Sequence, residues 1–288
     1  MMKMQRFGVE IELTGITRTV AANTIAKFFG ATAYATGDTY NTRTIKDPQG
    51  RIWKVMRDAS VRAEPSNDAY KVEIVSPILV YEDIETIQEI LRLLRKKGAK
   101  ANDSCGIHIH VDGANHSAGS LKNIIHFMCA RQDLVYEALA VKNNRLAYCK
   151  KLCKSLFQKV RAARTLDIGT MENLWYGGYS GRNRRYDSTR YHCINIHSFF
   201  YLGTVEFRMF NSTTHAGELK AYIQFCLAVS AWAASDASRI SFRADENHTA
   251  SQKVTLMNSV LTNRLGLTGK EFKTARLHLT KHLERLTA

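Results

Sequence analysis

The stretch Phe7-Gly8-Val9-Glu10-Ile11-Glu12-Leu13 has the alternation of a β-strand that is apolar on one face and acidic on the other. Side chains alternate across a strand, so Phe7, Val9, Ile11 and Leu13 share one side. Glu10 and Glu12 share the other, about 7 Å apart at roughly 3.3 Å of rise per residue. The same pattern predicts a strand over Cys105–Val111, with His108 and His110 opposite an apolar row. It predicts another over Thr204–Met209, where Glu206 and Arg208 lie opposite Val205, Phe207 and Met209. Further strands are expected at Ile52–Asp58, at Tyr70–Pro77 and at Tyr191–His197, which makes about six, with weaker ones near Ala33 and over Tyr40–Ile45. A face that carries Glu, Glu, His, His, Glu and Arg suits metal ions and phosphates, and points to an enzyme.

Between these strands the periodicity changes to helical. Ala21–Phe29 reads as a helix ended by Gly30. Asp83–Lys97 carries the stripe Ile84, Ile87, Ile90, Leu91 and Leu94, with Gly98 at its C-terminal cap. A run of helices is expected from Ser120 to Arg164. Within it, Val141–Arg164 places Leu146, Cys149, Leu152, Leu156 and Val160 on one side of an amphipathic helix. The chain from Gly217 reads as helical throughout. Strands joined by turns or single helices, with the helices gathered late, predict an α+β fold on a largely antiparallel sheet. With 288 residues, 45% hydrophobic, and no Pro/Ser/Gly-rich linker, a single domain over 1–288 is the economical reading. It would carry a basic helical insertion at about 141–187 and a helical tail from about 217.

No run approaches the roughly 18 apolar residues of a membrane span. The first residues pass directly into a strand without the apolar core of a signal peptide, so a soluble cytoplasmic protein is expected. The six cysteines form no Cys-x-x-Cys pair and no disulfide framework; they read as buried free thiols, and a cysteine nucleophile has no local support. The net charge is +15 and unevenly spread. Lys142 to Arg164 holds eight basic residues and no acid, and Arg182, Arg184, Arg185 and Arg190 follow. Such charge attracts polyanions, although a solvated helix face explains the first cluster equally well.

Each candidate motif has a plainer reading. Glu10 and Glu12 suit the wet face of a sheet, Glu73 a surface carboxylate, Asp58 a turn, and Glu206 with Arg208 a salt bridge. Their co-occurrence favours a site. A solvent-washed face would carry Lys, Thr, Ser and Gln, whereas these strands carry acids, imidazoles, Asn195 and an arginine. Clustered carboxylates repel one another unless a cation neutralises them. The mostly oxygen ligand set suits Mg²⁺ or Mn²⁺ and argues against a thiolate zinc site.

At this point the residues resemble a known family. Phe7–Glu12, Tyr70–Pro77, Cys105–His110, Arg190-Tyr191 with Asn195, and Thr204–Phe210 occur in the order found in amidoligases. These belong to the carboxylate–amine ligase superfamily of glutamine synthetase and γ-glutamylcysteine synthetase. The segment Val141–Asp187 carries no motif of that family. The resemblance implies a curved antiparallel sheet holding ATP and divalent metals on its concave face, with helices packed on the other face. It implies Glu10, His108 and Glu206 at the metal nearest the nucleotide phosphates, and Glu12 and Glu73 at the metal nearer the acyl substrate. Asp58 would be a further ligand or a substrate contact. Arg208 would touch the transferring phosphoryl group, with Glu73 a second catalytic candidate, and His110, Arg190 and Asn195 would line the nucleotide site.

That chemistry accounts for the inventory. A carboxylate must gain a leaving group before an amine attacks it, and ATP supplies one as an acyl phosphate. No Gly-x₄-Gly-Lys-Ser/Thr loop occurs, and the Gly177–Gly181 stretch follows no predicted strand, so Tyr176–Arg190 reads as a mobile lid. Substrates would be a small-molecule or peptide carboxylate and an amine. Two rival readings remain at this stage. One is a two-metal hydrolase of phosphodiesters or esters. The other is a basic nucleic-acid binder using Trp175, Tyr176, Tyr179 and Tyr186 among the arginines.

Overall fold

The structure, a computed structural model, describes residues 1–235 and 248–287. Its centre is one open antiparallel sheet of eight strands: β1 (Phe7–Leu13), β2 (Ala33–Ala35), β3 (Arg43–Lys46), β4 (Ile52–Met56), β5 (Val72–Val75), β6 (Gly106–Asp112), β7 (Ile194–Asn195) and β8 (Thr204–Asn211). Their order is β2-β3-β4-β5-β1-β6-β8-β7. The expected six become eight because the two weaker segments also pair, β2 to β3 and β3 to β4.

The apolar side of the strands is buried. Val9, Ile11, Trp53, Val55, Ile74, Ile107, Ile109, Val111, Val205 and Phe207 are each at most 2% exposed. The helices among the described residues are α1 (Arg18–Phe29), α2 (Ile84–Lys96), α3 (Ala118–Ala138), α4 (Lys154–Ala162), α5 (Ile168–Tyr176), α6 (His197–Leu202), α7 (Ala216–Ala233), α8 (Ala250–Ser259) and α9 (Lys273–Arg285). α1 lies on β3, β4 and β5, α7 on β6, and α2, α3 and α9 pack on α7. The α1 ends are fixed locally: the Thr17 hydroxyl accepts from the Val20 amide, and Gly30 takes the left-handed conformation at φ 64°. No described helix is long and apolar enough to cross a membrane.

Three expectations change. The helix expected over Val141–Arg164 is instead a 3-10 turn at Asn143–Arg145, an extended stretch, and the short α4. The apolar spacing is helical, but the backbone finds better partners elsewhere. Lys150 exchanges hydrogen bonds with Tyr191 and Cys193, both at 2.8 Å, and Leu152 with the Gln132 side chain at 2.7 and 2.9 Å. The tail is interrupted between a π-helical turn at Val260–Arg264 and α9, where Gly266 and Gly269 adopt φ of 68° and 76°. Residues 236–247 of that predicted tail lie outside the described residues. Finally, β8 carries one extra residue opposite β6. Ile107 pairs with Phe210 and Ile109 with Phe207, so the simple alternation breaks at Arg208 and Met209. Bulges of this kind re-aim side chains beside functional sites.

Candidate active site

The polar side of the sheet forms the floor of a cleft of about 780 Å³. Its floor residues come from adjacent strands in register: Glu10 pairs with His108 and Glu12 with Glu73 across β1, and His110 with Glu206 across β6. Two candidate ligand sets result, each with its atoms within 4.8 Å of one another: Glu10, His110 and Glu206, and Glu12, Asp58 and Glu73. Asp58 reaches the second set from just beyond β4, where its carboxylate accepts from the Ser60 amide at 2.6 Å. His108 stands between the sets, its Nδ1 3.1 Å from Glu10 and its Nε2 3.8 Å from Glu12.

The supporting contacts are specific. His110 Nδ1 shares a hydrogen with the Thr204 hydroxyl at 2.9 Å, while its Nε2 is buried without a hydrogen-bond partner, 3.5 Å from Glu10 and 3.7 Å from Glu206. Burial lowers the His110 imidazole, but Glu206 and Glu10 outweigh it and raise that group above its ordinary value. Asn195 lines the cleft and orients Glu206, donating to it at 2.5 Å while accepting from the Ser198 amide at 3.1 Å. The Arg208 guanidinium is 4% exposed; it donates to Glu206 and, through Nε, to the Tyr148 carbonyl at 3.2 Å. Arg190 lines the cleft beside Arg185.

The periodicity placed Arg145 on a helix surface, yet it is a 1%-exposed part of the site. Its guanidinium lies 3.7 Å from Glu12 and donates to the Arg208 carbonyl at 2.8 Å. It occupies the space beside Gly106, where any Cβ would come within 1.8 Å of Nη1. The glycine was the one sequence signal for this, because a strand interior rarely favours Gly unless something approaches closely.

The cysteines are buried apart from Cys153, which is exposed. Trp175 and Tyr176, two of the four aromatic residues considered for nucleic-acid stacking, are also buried. Tyr176 is hydrogen-bonded to His197 Nδ1 at 2.6 Å.

The electrostatics of the two sets differ. Only the set of Glu12, Asp58 and Glu73 is short of positive charge. Burial raises the Glu10 carboxyl, but hydrogen bonds with His108 and His110 outweigh it and hold Glu10 well below the usual carboxylate range. Burial, then the neighbouring Glu10, Asp58 and Glu12, push the Glu73 carboxyl well above the usual range. Burial pushes Glu12 up to about 7 even with Arg145 beside it. Burial acts the same way on Glu206, but Arg208 and the two histidines outweigh it and hold that carboxyl at about 2. For His108, burial and Arg208 lower the imidazole to about 4, so it is neutral at pH 7. The ligand types and the bare imidazole nitrogen fit divalent cations.

A stability prediction follows from these shifts. Glu12 and Glu73 keep protons in the folded state that the unfolded chain loses near pH 4.5. Their contribution to stability therefore falls as pH rises from about 4.5 through about 7. A cation that binds the ionised set offsets this, by about 2.7 kcal/mol at a hundred times its dissociation constant. Thermal unfolding with and without Mg²⁺ should show a larger gain at pH 8 than at pH 6. Equal gains at the two pH values would contradict the shifted carboxylates.

A family model described as "Putative amidoligase enzyme" matches residues 3–230, a span that includes all eight strands and every carboxylate of the two sets. No curated protein matches the chain. With more than half of its length covered by that model, the chain belongs to the amidoligase family.

Proposed function

We propose that this amidoligase is an ATP-dependent carboxylate–amine ligase that forms an amide or isopeptide bond through an acyl phosphate, with Mg²⁺ or Mn²⁺ as cofactor. One observation carries the reading: two oxygen-rich ligand sets lie side by side on one cleft floor, with Arg208 bound to the first. Glu10, His110 and Glu206 would hold the ion at the nucleotide phosphates, and Glu12, Asp58 and Glu73 the ion at the acid substrate. Bound there, the ions would neutralise the charge on phosphate and carboxylate oxygens.

The chain's own groups supply the rest. Arg208, fixed by Glu206 and the Tyr148 carbonyl, donates to the phosphoryl oxygens as charge develops on them during transfer. Arg145 holds Glu12 beside the acid that is activated. That acid's oxygen attacks the γ-phosphorus and ADP departs; the amine then attacks the acyl carbon and phosphate departs. Glu73, ionised once a cation occupies its set, would be the candidate to accept the proton that the amine loses. An apolar slot of about 390 Å³, lined by Phe7, Val75, Pro77, Ile78 and Leu202, opens beside Glu10 and His110 and is suited to the nucleotide base.

Hydroxylamine tests this reading, because it intercepts acyl phosphates as hydroxamates. Incubation with ATP, Mg²⁺, hydroxylamine and pools of carboxylic acids and acidic peptides should yield hydroxamate together with ADP. Metal-dependent cleavage of phosphodiesters without any need for ATP would replace the ligase by the hydrolase.

A further inference from the structure

A ladder of alternating tyrosine rings and guanidinium groups climbs from the cleft floor to its rim. The Arg208 guanidinium carbon is 6.0 Å from the centre of the Tyr191 ring. Arg190 lies 5.7 Å from Tyr191 and 5.6 Å from Tyr186. Arg185 lies 5.3 Å from Tyr186 and 5.9 Å from Tyr40. At the top, the Tyr40 and Tyr186 hydroxyls are 2.8 Å apart. The turn between β2 and β3 thus meets the segment before β7 across the cleft, and all six side chains line it.

The two ends of the ladder differ. Arg208 is committed to Glu206. Among the described residues, Arg185 and Arg190 have no carboxylate partner, and Arg190 Nε is enclosed with no hydrogen-bond acceptor. A guanidinium stacked on a ring still presents its N–H edge, which matches a carboxylate or phosphate with two parallel hydrogen bonds. The rings are less available. Tyr186 and Tyr191 each meet two guanidiniums, which leaves little open face for a nucleobase to stack on.

We propose that Arg185 and Arg190, framed by Tyr40 and Tyr186, bind a second anionic group of the substrate, so that the acid entering this cleft is an acidic peptide. The inference rests on the ligase reading for the role of the cleft floor. Arg185 and Tyr186 lie in the segment that carries no family motif, whereas Arg190, which the resemblance placed at the nucleotide, is here assigned to the substrate. The inner end of the ladder meets the reacting groups and the outer end selects for a further oxyanion, which a glutamate or aspartate side chain or a phosphoserine would equally provide.

The test uses short labelled peptides, rich in glutamate, in phosphoserine or in glutamine, read by fluorescence anisotropy on the full chain without nucleotide or metal. Binding is expected for an anionic peptide and not for the glutamine peptide, and which anionic peptide binds tighter identifies the oxyanion. Arg185→Gln should weaken it about tenfold, the scale of one charge-assisted hydrogen-bonded contact. Arg182→Gln should leave it unchanged, since Arg182 pairs with Glu172 at 2.6 Å and stands outside the ladder. Equal binding of the glutamine peptide, or no effect of Arg185→Gln, overturns the inference. So does a single-stranded oligonucleotide that binds more tightly than every peptide. A parallel titration with Mg²⁺ and ATP separates the two levels. Intact nucleotide binding with a failed peptide arm removes the ladder's role alone, whereas absent nucleotide binding removes the ligase reading beneath it.

Discussion

Glu206→Gln should weaken Mg²⁺-dependent ATP binding by more than about 100-fold, whereas Glu12→Gln should leave it largely intact. Even residues one shell out from a metal typically cost 10–100-fold in affinity, and a direct ligand should cost at least that. Glu206 also pairs with a 4%-exposed arginine and is held by Asn195. Its amide replacement cannot offset the Arg208 charge, and a buried unpaired guanidinium would rearrange the floor. Glu12 belongs to the other set, where it accepts from the Gly106 amide at 2.6 Å and faces Arg145. Its loss should fall on turnover of the acid rather than on nucleotide affinity. Calorimetric titration of ATP with and without Mg²⁺ reads the split. Equal affinities for the two variants would remove the assignment of one set to the nucleotide.

Much of that floor was legible because a strand has a period of two. Alternation alone put Glu10, Glu12, His108, His110 and Glu206 opposite the apolar rows, and antiparallel pairing brings them into contact. Register was not legible. Strand order, the bulge in β8 and the gathering of Asp58 with Glu12 and Glu73 depend on pairings between distant segments. The resemblance implied His108 beside Glu10 and Glu206, and its Nδ1 does lie 3.1 and 3.8 Å from them. What the resemblance did not resolve is that His110 Nε2 faces the same two carboxylates at 3.5 and 3.7 Å.

The segment 141–191 was the least legible, for a related reason. Its apolar spacing is compatible with a helix, and its arginines with a solvated face. What decides their roles is across the chain: Gly106 for Arg145, Gln132 for the backbone of Leu152, and Tyr40 for Tyr186. Local periodicity cannot report a partner many residues away. It can report the vacancy such a partner needs, as Gly106 does on an otherwise well-formed strand.

Gly106→Ala should therefore reverse sign depending on Arg145. In the native background an added methyl collides with the Arg145 guanidinium, whose three nearest atoms would stand 1.8 to 2.3 Å away. Arginine side chains usually swing aside. This one is 1% exposed, bonded to the Arg208 carbonyl and facing Glu12, so moving it strands a buried charge. Overpacking of this kind costs about 1–3 kcal/mol. Gly106 does not adopt a left-handed φ, so its backbone gains nothing from being glycine. With Arg145→Ala already in place, Gly106→Ala should be neutral or stabilise by about 0.5–1 kcal/mol, the usual advantage of alanine over glycine within a strand. Urea unfolding of the two single variants and the double variant measures the reversal. A cost that is the same with and without Arg145 would mean that the guanidinium does not fill this space, and its place beside Glu12 in the proposed chemistry would fall with it.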